Sequence, residues 1–277
     1  MPAPAVDLAI VGAGHVARAL GRLFHASGTC EVRGVLARSA ASAQAGVDFI
    51  GAGLACATYD ELPVAQLYLL AVTDDQIVPA CAALAASRPL AGAVVVHCSG
   101  ALASGALEAA RQAGAHVASA HPIRSFADPA AVAASFAGTF CGIEGDAGAL
   151  AVVVPALEAI GARPVAIDPA AKTVYHAAAV FASNYLVTVL DAALRAYVAA
   201  GIPEDVAREL ARPLAQESLD NVFRLGAAPA LSGPVARGDF VTVHRQQEAV
   251  AGWDADTGAL YAALVPPTAA LAARKRS

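Results

Sequence analysis

The run "KTVYHAAAVFASNYLVTVL" extends from Lys172 to Leu190 and carries no formal charge after its first residue. His176, Ser183 and Asn184 stand inside it. A lysine and a histidine four residues apart lie on the same side of a helix. Such a pair can hold or transfer a proton at a substrate heteroatom, which is the work of a general acid. On a wheel at about 100° per residue, Lys172, His176 and Ser183 fall within roughly 40° of one another, with Asn184 to one side. The spacing predicts a polar seam on an apolar rod. Buried His and Asn side chains need hydrogen-bond partners, so the competing reading is a structural seam bonded to other helices.

The element that positions this seam is a long helix. Asp168 followed by Pro169 reads as an N-cap with proline in the first turn, and Gly201 and Pro203 read as the stop. The helix is apolar nearly all round, which predicts burial on most sides. Further helices follow in "PEDVARELARPLAQESLDNVFRLG", interrupted at Pro213, in "DFVTVHRQQEAVAG", and in a last stretch that meets Pro266 and Pro267. Between them "ALSGPVARGDF" is dense in turn formers and carries Arg237 and Asp239. Arg237 could hold a carboxylate or phosphate, with Asp239 fixing its fork.

The chain before Asp168 has a different rhythm. "VDLAIVGAGHVARALGRLFHASG" reads as strand, tight turn and amphipathic helix. Its turn is G-x-G-x-x-A, with Gly12, Ala13, Gly14, His15 and Val16 leading to Ala17. The first glycine permits the turn, the second lets a pyrophosphate approach the backbone, and the alanine lets helix and strand pack closely. The helix N-terminus would hold the phosphate. The next strand, "EVRGVLARS", ends in Arg38 and Ser39, where a site for NAD would carry an acid. A guanidinium and a hydroxyl suit the extra phosphate of NADP. Apolar runs in "LYLLAVTDDQI", "AVVVHCSGAL" and "AHVASAHPIRSF" are expected of parallel strands covered on both faces. Val72 and Thr73, Ser99, and His121 stand at the ends of these strands, where a cofactor and substrate would lie. "GTFCGIEGD" and "ARPVAI" read as two more strands of the same sheet, joined by the helix-like "AGALAVVVPALEAIG". The fold class expected is an α/β Rossmann domain over residues 1–168, with a mostly parallel sheet, followed by an all-α domain over 169–277.

Composition narrows the classes. The chain has 277 residues, of which 57% are hydrophobic and 15% charged, so core material is abundant and disorder is disfavoured. Net charge is -5 with no basic stripe, which excludes a nucleic-acid-binding face. The basic ending "RKRS" reads as a solvated tail. Long uncharged runs raise a membrane-spanning reading, but Pro, His and Gly interrupt them and no aromatic girdle or basic flank frames them. No basic region precedes the first apolar run, so a signal peptide is not expected. Cys30, Cys56, Cys81, Cys98 and Cys141 are scattered, with no metal-ligand spacing. They suit reduced thiols of a cytoplasmic protein without a metal site.

A Rossmann unit, extra strands and a long helix entering a helical domain resemble the β-hydroxyacid dehydrogenase and 6-phosphogluconate dehydrogenase superfamily. Pyrroline-5-carboxylate reductase and ketopantoate reductase are similar in plan. In the hydroxyacid branch a lysine on the long helix is followed four residues later by asparagine. Lys172 matches the lysine, while His176 takes the place of the asparagine. "HCSGAL", "HPIRSF", "YHAAAVFASNYL" and "LSGPVARGD" are similar to signatures of Rossmann-like oxidoreductases whose C-terminal domain is catalogued as of unknown function, number 2520. The resemblance implies an NADP-linked oxidoreductase, dimeric through its helical domain, acting on a small molecule that it does not specify. The hydride would pass between nicotinamide and a C=O or C=N carbon. Lys172 or His176, or else His121, would handle the proton; Asn184 and Ser99 would orient substrate and Arg237 would bind its anion. The alternatives are an imine reductase similar to pyrroline-5-carboxylate reductase, and a non-catalytic NADP-binding regulator or scaffold.

Overall fold

The computed structural model describes residues 5–276; Ser277 and the Arg276 side chain of the basic tail lie outside the described residues. The chain begins β1 (Val6–Val11), α1 (His15–Ala26), β2 (Cys30–Leu36), α2 (Ala40–Ile50), β3 (Leu54–Cys56), β4 (Leu67–Leu70), α3 (Asp74–Ser87) and β5 (Val94–His97). It continues α4 (Glu108–Gln112), β6 (His116–Pro122), α5 (Pro129–Ala134), β7 (Phe140–Gly145), α6 (Ala147–Ala159) and β8 (Arg163–Ala166). The strands form one sheet in the order β3-β2-β1-β4-β5-β6-β7-β8. Neighbours are parallel except β6 and β7, which pair antiparallel with His121 opposite Gly142.

Alternation along β1 explains why both faces are covered. Leu8 and Ile10 point into one core with Leu20 and Phe24 of α1 and Val153 and Leu157 of α6. Ala9 and Val11 point into the other, with Tyr68, Ile77 and Leu84. Strands buried on both faces need continuous apolar runs, which is what the sequence supplies. The short edge strand β3 and the helices α2 and α5 lacked such a signal.

The long helix runs Pro169–Ala199. It opens with a tight turn at Pro169–Ala171 under the Asp168 cap, then α7 (Lys172–Val180), a π turn at Phe181–Tyr185, and α8 (Leu186–Ala199). The rod is not buried on most sides: Lys172 and Ala192 are buried, whereas Val174 is 76% exposed and Val187 is 65% exposed. By length and composition it could cross a membrane. Its first turns, however, are bonded to the sheet, as shown below. The π turn departs from the constant phase that a wheel assumes, and Ser183 and Asn184 are exposed.

The chain divides into two compact units within this helix, after Ala182, and not at the boundary expected at 168. The second unit holds α8, α9 (Glu204–Leu225), α10 (Ala227–Ala230), α11 (Pro234–Arg237), α12 (Phe240–Trp253) and α13 (Ala255–Arg276). Pro213 does not interrupt α9, and α13 continues through Pro266 and Pro267. A proline removes one donor and strains one turn, and the turns on either side keep these helices going. Arg195 of α8 ties this unit together through Asp191 at 2.9 Å and Thr257 at 3.0 Å, with Trp253 under its guanidinium. Its buried side chains are few and mostly small: Ala192, Ala207, Ala211, Val243, Thr257 and Ala272.

Within the first unit a buried ion pair fastens α7 to the sheet. Lys172 is 2% exposed and Glu144 of β7 is 5% exposed, with 3.7 Å between Nζ and Oε1. The Lys172 ammonium also donates to the Ser99 carbonyl at 3.0 Å and to Ser119 Oγ. Ser119 in turn donates to the Ser99 carbonyl at 3.3 Å. Glu144 accepts from the Ser104 amide and hydroxyl, both at 2.7 Å. Burial pulls the Lys172 pKa below the usual lysine range, and the Glu144 carboxylate opposes that shift. With two hydrogen bonds from its ammonium and the Glu144 carboxylate beside it, Lys172 braces the chain at Ser99. Removing one partner of a buried pair strands the other, at a cost of about 3–5 kcal/mol. Lys172→Met is therefore expected to lose about that much in denaturant unfolding, with part recovered in Lys172→Met/Glu144→Gln. An unchanged midpoint for Lys172→Met would contradict the bracing role.

Candidate active site

A cleft of about 420 Å³ opens at the carboxyl ends of the central strands. Strand order reverses between β1 and β4 there, which is where doubly wound sheets bind ligands. The turn after β1, the turn from β4 into α3, the chain after β5, the end of β6 and His176 line it.

The β1 turn is built for close approach. Gly12 has φ +112°, and a Cβ there would fall 2.3 Å from the Ala71 carbonyl oxygen, so only glycine fits. A Cβ on Gly14 would meet nothing within 4 Å, which leaves open space over the start of α1. Gly14 is the N-cap, no side chain caps the helix, and its first turn holds no acid. The uncapped amides of α1 therefore face the cleft with the positive end of the helix dipole. Ala13 and Val16 are half-buried in this turn, and His15 donates from Nδ1 to the Phe126 carbonyl at 2.6 Å. These residues fit a dinucleotide pyrophosphate. Val72 packs beside Gly12, and Thr73 stands exposed at the N-cap of α3. Arg38 and Ser39 are exposed beyond β2, with no acid before Asp48, and Ser39 caps α2 through the Ser42 amide at 3.2 Å.

The chain after β5 is held rigidly. The His97 ring is fully buried; Nδ1 accepts from the Ser99 amide at 3.1 Å and Nε2 donates to the Ala103 carbonyl at 3.2 Å. Burial pushes its pKa down to about 4, so it serves as a neutral strut. Ser99 Oγ accepts from the Ala101 and Leu102 amides at 3.1 and 2.9 Å, which closes the turn and leaves the hydroxyl proton for one more acceptor. Gly100 follows, with two imidazoles against its Cα. A Cβ there would lie 2.4 Å from His176 Nδ1 and 2.9 Å from His121 Nε2. Both imidazoles thus pack against Gly100, where only glycine leaves them room. His176 Nδ1 is buried and has no hydrogen-bond partner among the described residues.

His121 is fixed from behind. Its Nδ1 lies 2.8 Å from the Tyr175 hydroxyl, with the rings edge-to-face. Tyr175 reaches it because β7 has Gly142 at that level, where a Cβ would stand 2.4 Å from the phenolic oxygen. Burial, then His176 and Lys172, push the His121 pKa down to about 4. Burial raises Tyr175 to about 12. At neutral pH both groups are uncharged.

The structure therefore brings together Gly12 to Val16, Val72, Thr73, Ser99, His121 and His176, with Lys172 beneath them. Asn184, Arg237 and Asp239 belong to the second unit. Asn184 and Arg237 are exposed, and Asp239 caps α12 by accepting from the Thr242 amide at 3.1 Å. Tyr175, Glu144, Gly100 and Arg124 were not picked from the sequence. Arg124 lines the cleft and is bonded to Ser135 and Thr139. The quoted runs "YHAAAVFASNYL" and "HPIRSF" contained Tyr175, its partner His121 and Arg124, but nothing in the sequence paired them.

Among the described residues no group of His, Cys, Asp and Glu could hold a metal ion. A comparison with curated proteins gives no match. Residues 1–122 match the model of a Rossmann-like domain, and residues 139–268 match that of the domain of unknown function DUF2520. The chain is similar to the crystal structure of protein TM1727 from Thermotoga maritima, at 27% identity and TM-score 0.74, covering 98% of this chain and 100% of that one. The provisionally named NADP oxidoreductase BF3122 of Bacteroides fragilis has TM-score 0.80 at 20% identity, covering 96% and 98% of the two chains. An imine reductase from Myxococcus stipitatus, in complex with NADP+, has TM-score 0.66 at 19% identity and 92% coverage of each. The chain thus joins an N-terminal Rossmann-like domain to a C-terminal domain of the DUF2520 family.

Proposed function

We propose that this protein is an NADP-dependent oxidoreductase that transfers hydride between nicotinamide and a C=O or C=N bond of a small, anionic metabolite. The observation that carries this reading is that an uncapped, glycine-led helix terminus and a converging histidine pair open on one cleft. Gly12 to Val16 would hold the pyrophosphate, and Arg38 the additional phosphate that distinguishes NADP. Val72, Thr73 and Ser99 would border the rest of the cofactor. A bound nicotinamide supplies or accepts the hydride. His176 is assigned the proton, because its Nδ1 is buried without a partner. His121, neutral at pH 7, is assigned hydrogen-bond donation to the same heteroatom. Lys172 keeps a bracing role, since its hydrogens are taken up inside the protein. The anionic character of the metabolite rests on Arg237, and the name of the imine reductase with the same fold favours C=N substrates among those to be tried first.

The protein is further proposed to be a homodimer through its helical residues, in the cytoplasm. Supporting this are the large apolar side chains left in solvent, Leu214, Phe223 and Val241 at 56, 87 and 71% exposure, beside a second unit with a small core. The cysteines are all unpaired, as in a reducing compartment.

A screen of C=O and C=N compounds against NADPH oxidation tests the activity; absence of turnover with every anionic keto acid and imine would oppose it. Arg38→Ala is expected to weaken NADP binding much more than NAD binding in calorimetric titrations, and wild-type protein that binds both equally would refute the NADP assignment. His176→Leu should lower turnover by about a hundredfold to ten-thousandfold while its NADP affinity and melting temperature stay close to wild type. An earlier melt with normal turnover would make His176 a core residue. Sedimentation equilibrium at micromolar concentration should give a dimer, and a monomer would count against the proposed interface.

A further inference from the structure

We infer that Arg124 binds a carboxylate of the substrate in the cleft, which makes that substrate a keto acid or an imino acid. This deepens the oxidoreductase reading and rests on it for the reaction; the anion site itself stands on the geometry of Arg124.

A guanidinium carries five N–H donors in a planar fork: one on Nε and two on each Nη. Three of them have protein acceptors. Nη1 donates to the Ser135 carbonyl and, at 3.4 Å, to Thr139 Oγ1. Nη2 donates to Ser135 Oγ at 2.6 Å. The Ser135 hydroxyl gives its own proton to the Ala131 carbonyl at 2.7 Å, so it is a fixed acceptor. Ser135 thus occupies the end of the fork. The hydrogens left over are the Nε–H and the Nη2 hydrogen beside it. They form the side edge of the group, two parallel donors that match the two oxygens of a carboxylate.

The bonds to Ser135 have a structural use, because Ser135 is the C-cap of α5. Capping engages the end of the fork and leaves the side edge unclaimed. The backbone beneath is also held: the Ile123 amide donates to the Phe140 carbonyl at 2.8 Å and the Arg124 amide to the Pro122 carbonyl at 2.9 Å. The fork is therefore set in place before any ligand arrives, which lowers the cost of ordering it.

No acid of the protein takes the free edge. Asp74 is the other formal charge lining the cleft, and among the described residues Arg124 pairs with no carboxylate. A half-buried cation on a cleft wall without a counter-ion suits an anion from outside. Chain order says which anion. Arg124 follows His121 by three residues, and Phe126 beyond it is held by His15 at the start of α1. The α1 amides and Arg38 are assigned the cofactor phosphates, so Arg124 is the cation of the cleft that remains for the substrate. Arg237, exposed and in the other unit, is not needed for this.

The test reads the free edge directly, in protein whose arginines carry ¹⁵N at Nε. The Arg124 Nε–H signal is assigned by its loss in Arg124→Lys. It is then followed during titration with propanoate and with the neutral isostere propanamide, each with and without NADP+. Propanoate should move it downfield to saturation in both conditions, while propanamide has no effect and the Arg237 signal stays in place. A signal that propanoate leaves unmoved, or that moves only in step with Arg237, would overturn the inference. So would a signal that NADP+ alone carries to its end point, because the edge would then hold a cofactor phosphate. In turnover, Arg124→Lys should raise KM for a carboxylate substrate about tenfold to a hundredfold, as expected for loss of charged hydrogen bonds; an unchanged KM would overturn the assignment. The titration needs no turnover, so a failed substrate screen would count against the oxidoreductase reading and leave the carboxylate site standing.

Discussion

Everything else in the site depends on the buried pair of Lys172 and Glu144. Two opposite charges have been taken out of water, which is unfavourable unless geometry and hydrogen bonding are good. Here Ser99, Ser104 and Ser119 supply the missing bonds. The pair joins the chain after β5, β6, β7 and the first turn of α7. It fixes the rotation of α7 about its axis, and with it the direction of Tyr175 and His176. A hydrophobic contact at Lys172 could supply burial, but it would not set the rotation of the helix as sharply.

From that constraint the cleft follows. The chain leaving β5 is held at the Ser99 carbonyl by Lys172 and at its amide by the His97 ring. Gly100 then lies under two imidazoles, one from the end of β6 and one from α7. The absence of side chains at Gly12, Gly100 and Gly142 matters as much as any side chain present. Each removes a Cβ where backbone carbonyl, imidazole or phenol must come within contact distance.

Much of the sheet was legible because buried parallel strands announce themselves as unbroken apolar runs, and because Gly12 and Gly14 do a job that other residues cannot. Less of the site was. Lys172 and His176 were visible as polar residues out of place, but the partner that decides the role of Lys172 is in β7, in a run that read simply as a strand. Tyr175 stands beside His176 in sequence, and its partner His121 is 54 residues away. A wheel assumes constant phase, and the π turn at Phe181–Tyr185, which holds Ser183 and Asn184, departs from it in a way the sequence does not show. Pro213 was read as an interruption, yet the helix bonded on both sides of it passes through, as α13 passes through Pro266 and Pro267. The edge strand β3 has only Leu54–Cys56 to show and no alternation to reveal it.

The central claim is that the glycine turn and the histidine pair serve one bound dinucleotide. The direct measurement is of nuclear Overhauser effects from the nicotinamide ring protons of NADP+ to the imidazole protons of the complex. The account predicts cross-peaks to His121 and His176. Nicotinamide protons that correlate only with residues outside the cleft, with the histidine rings silent, would contradict it.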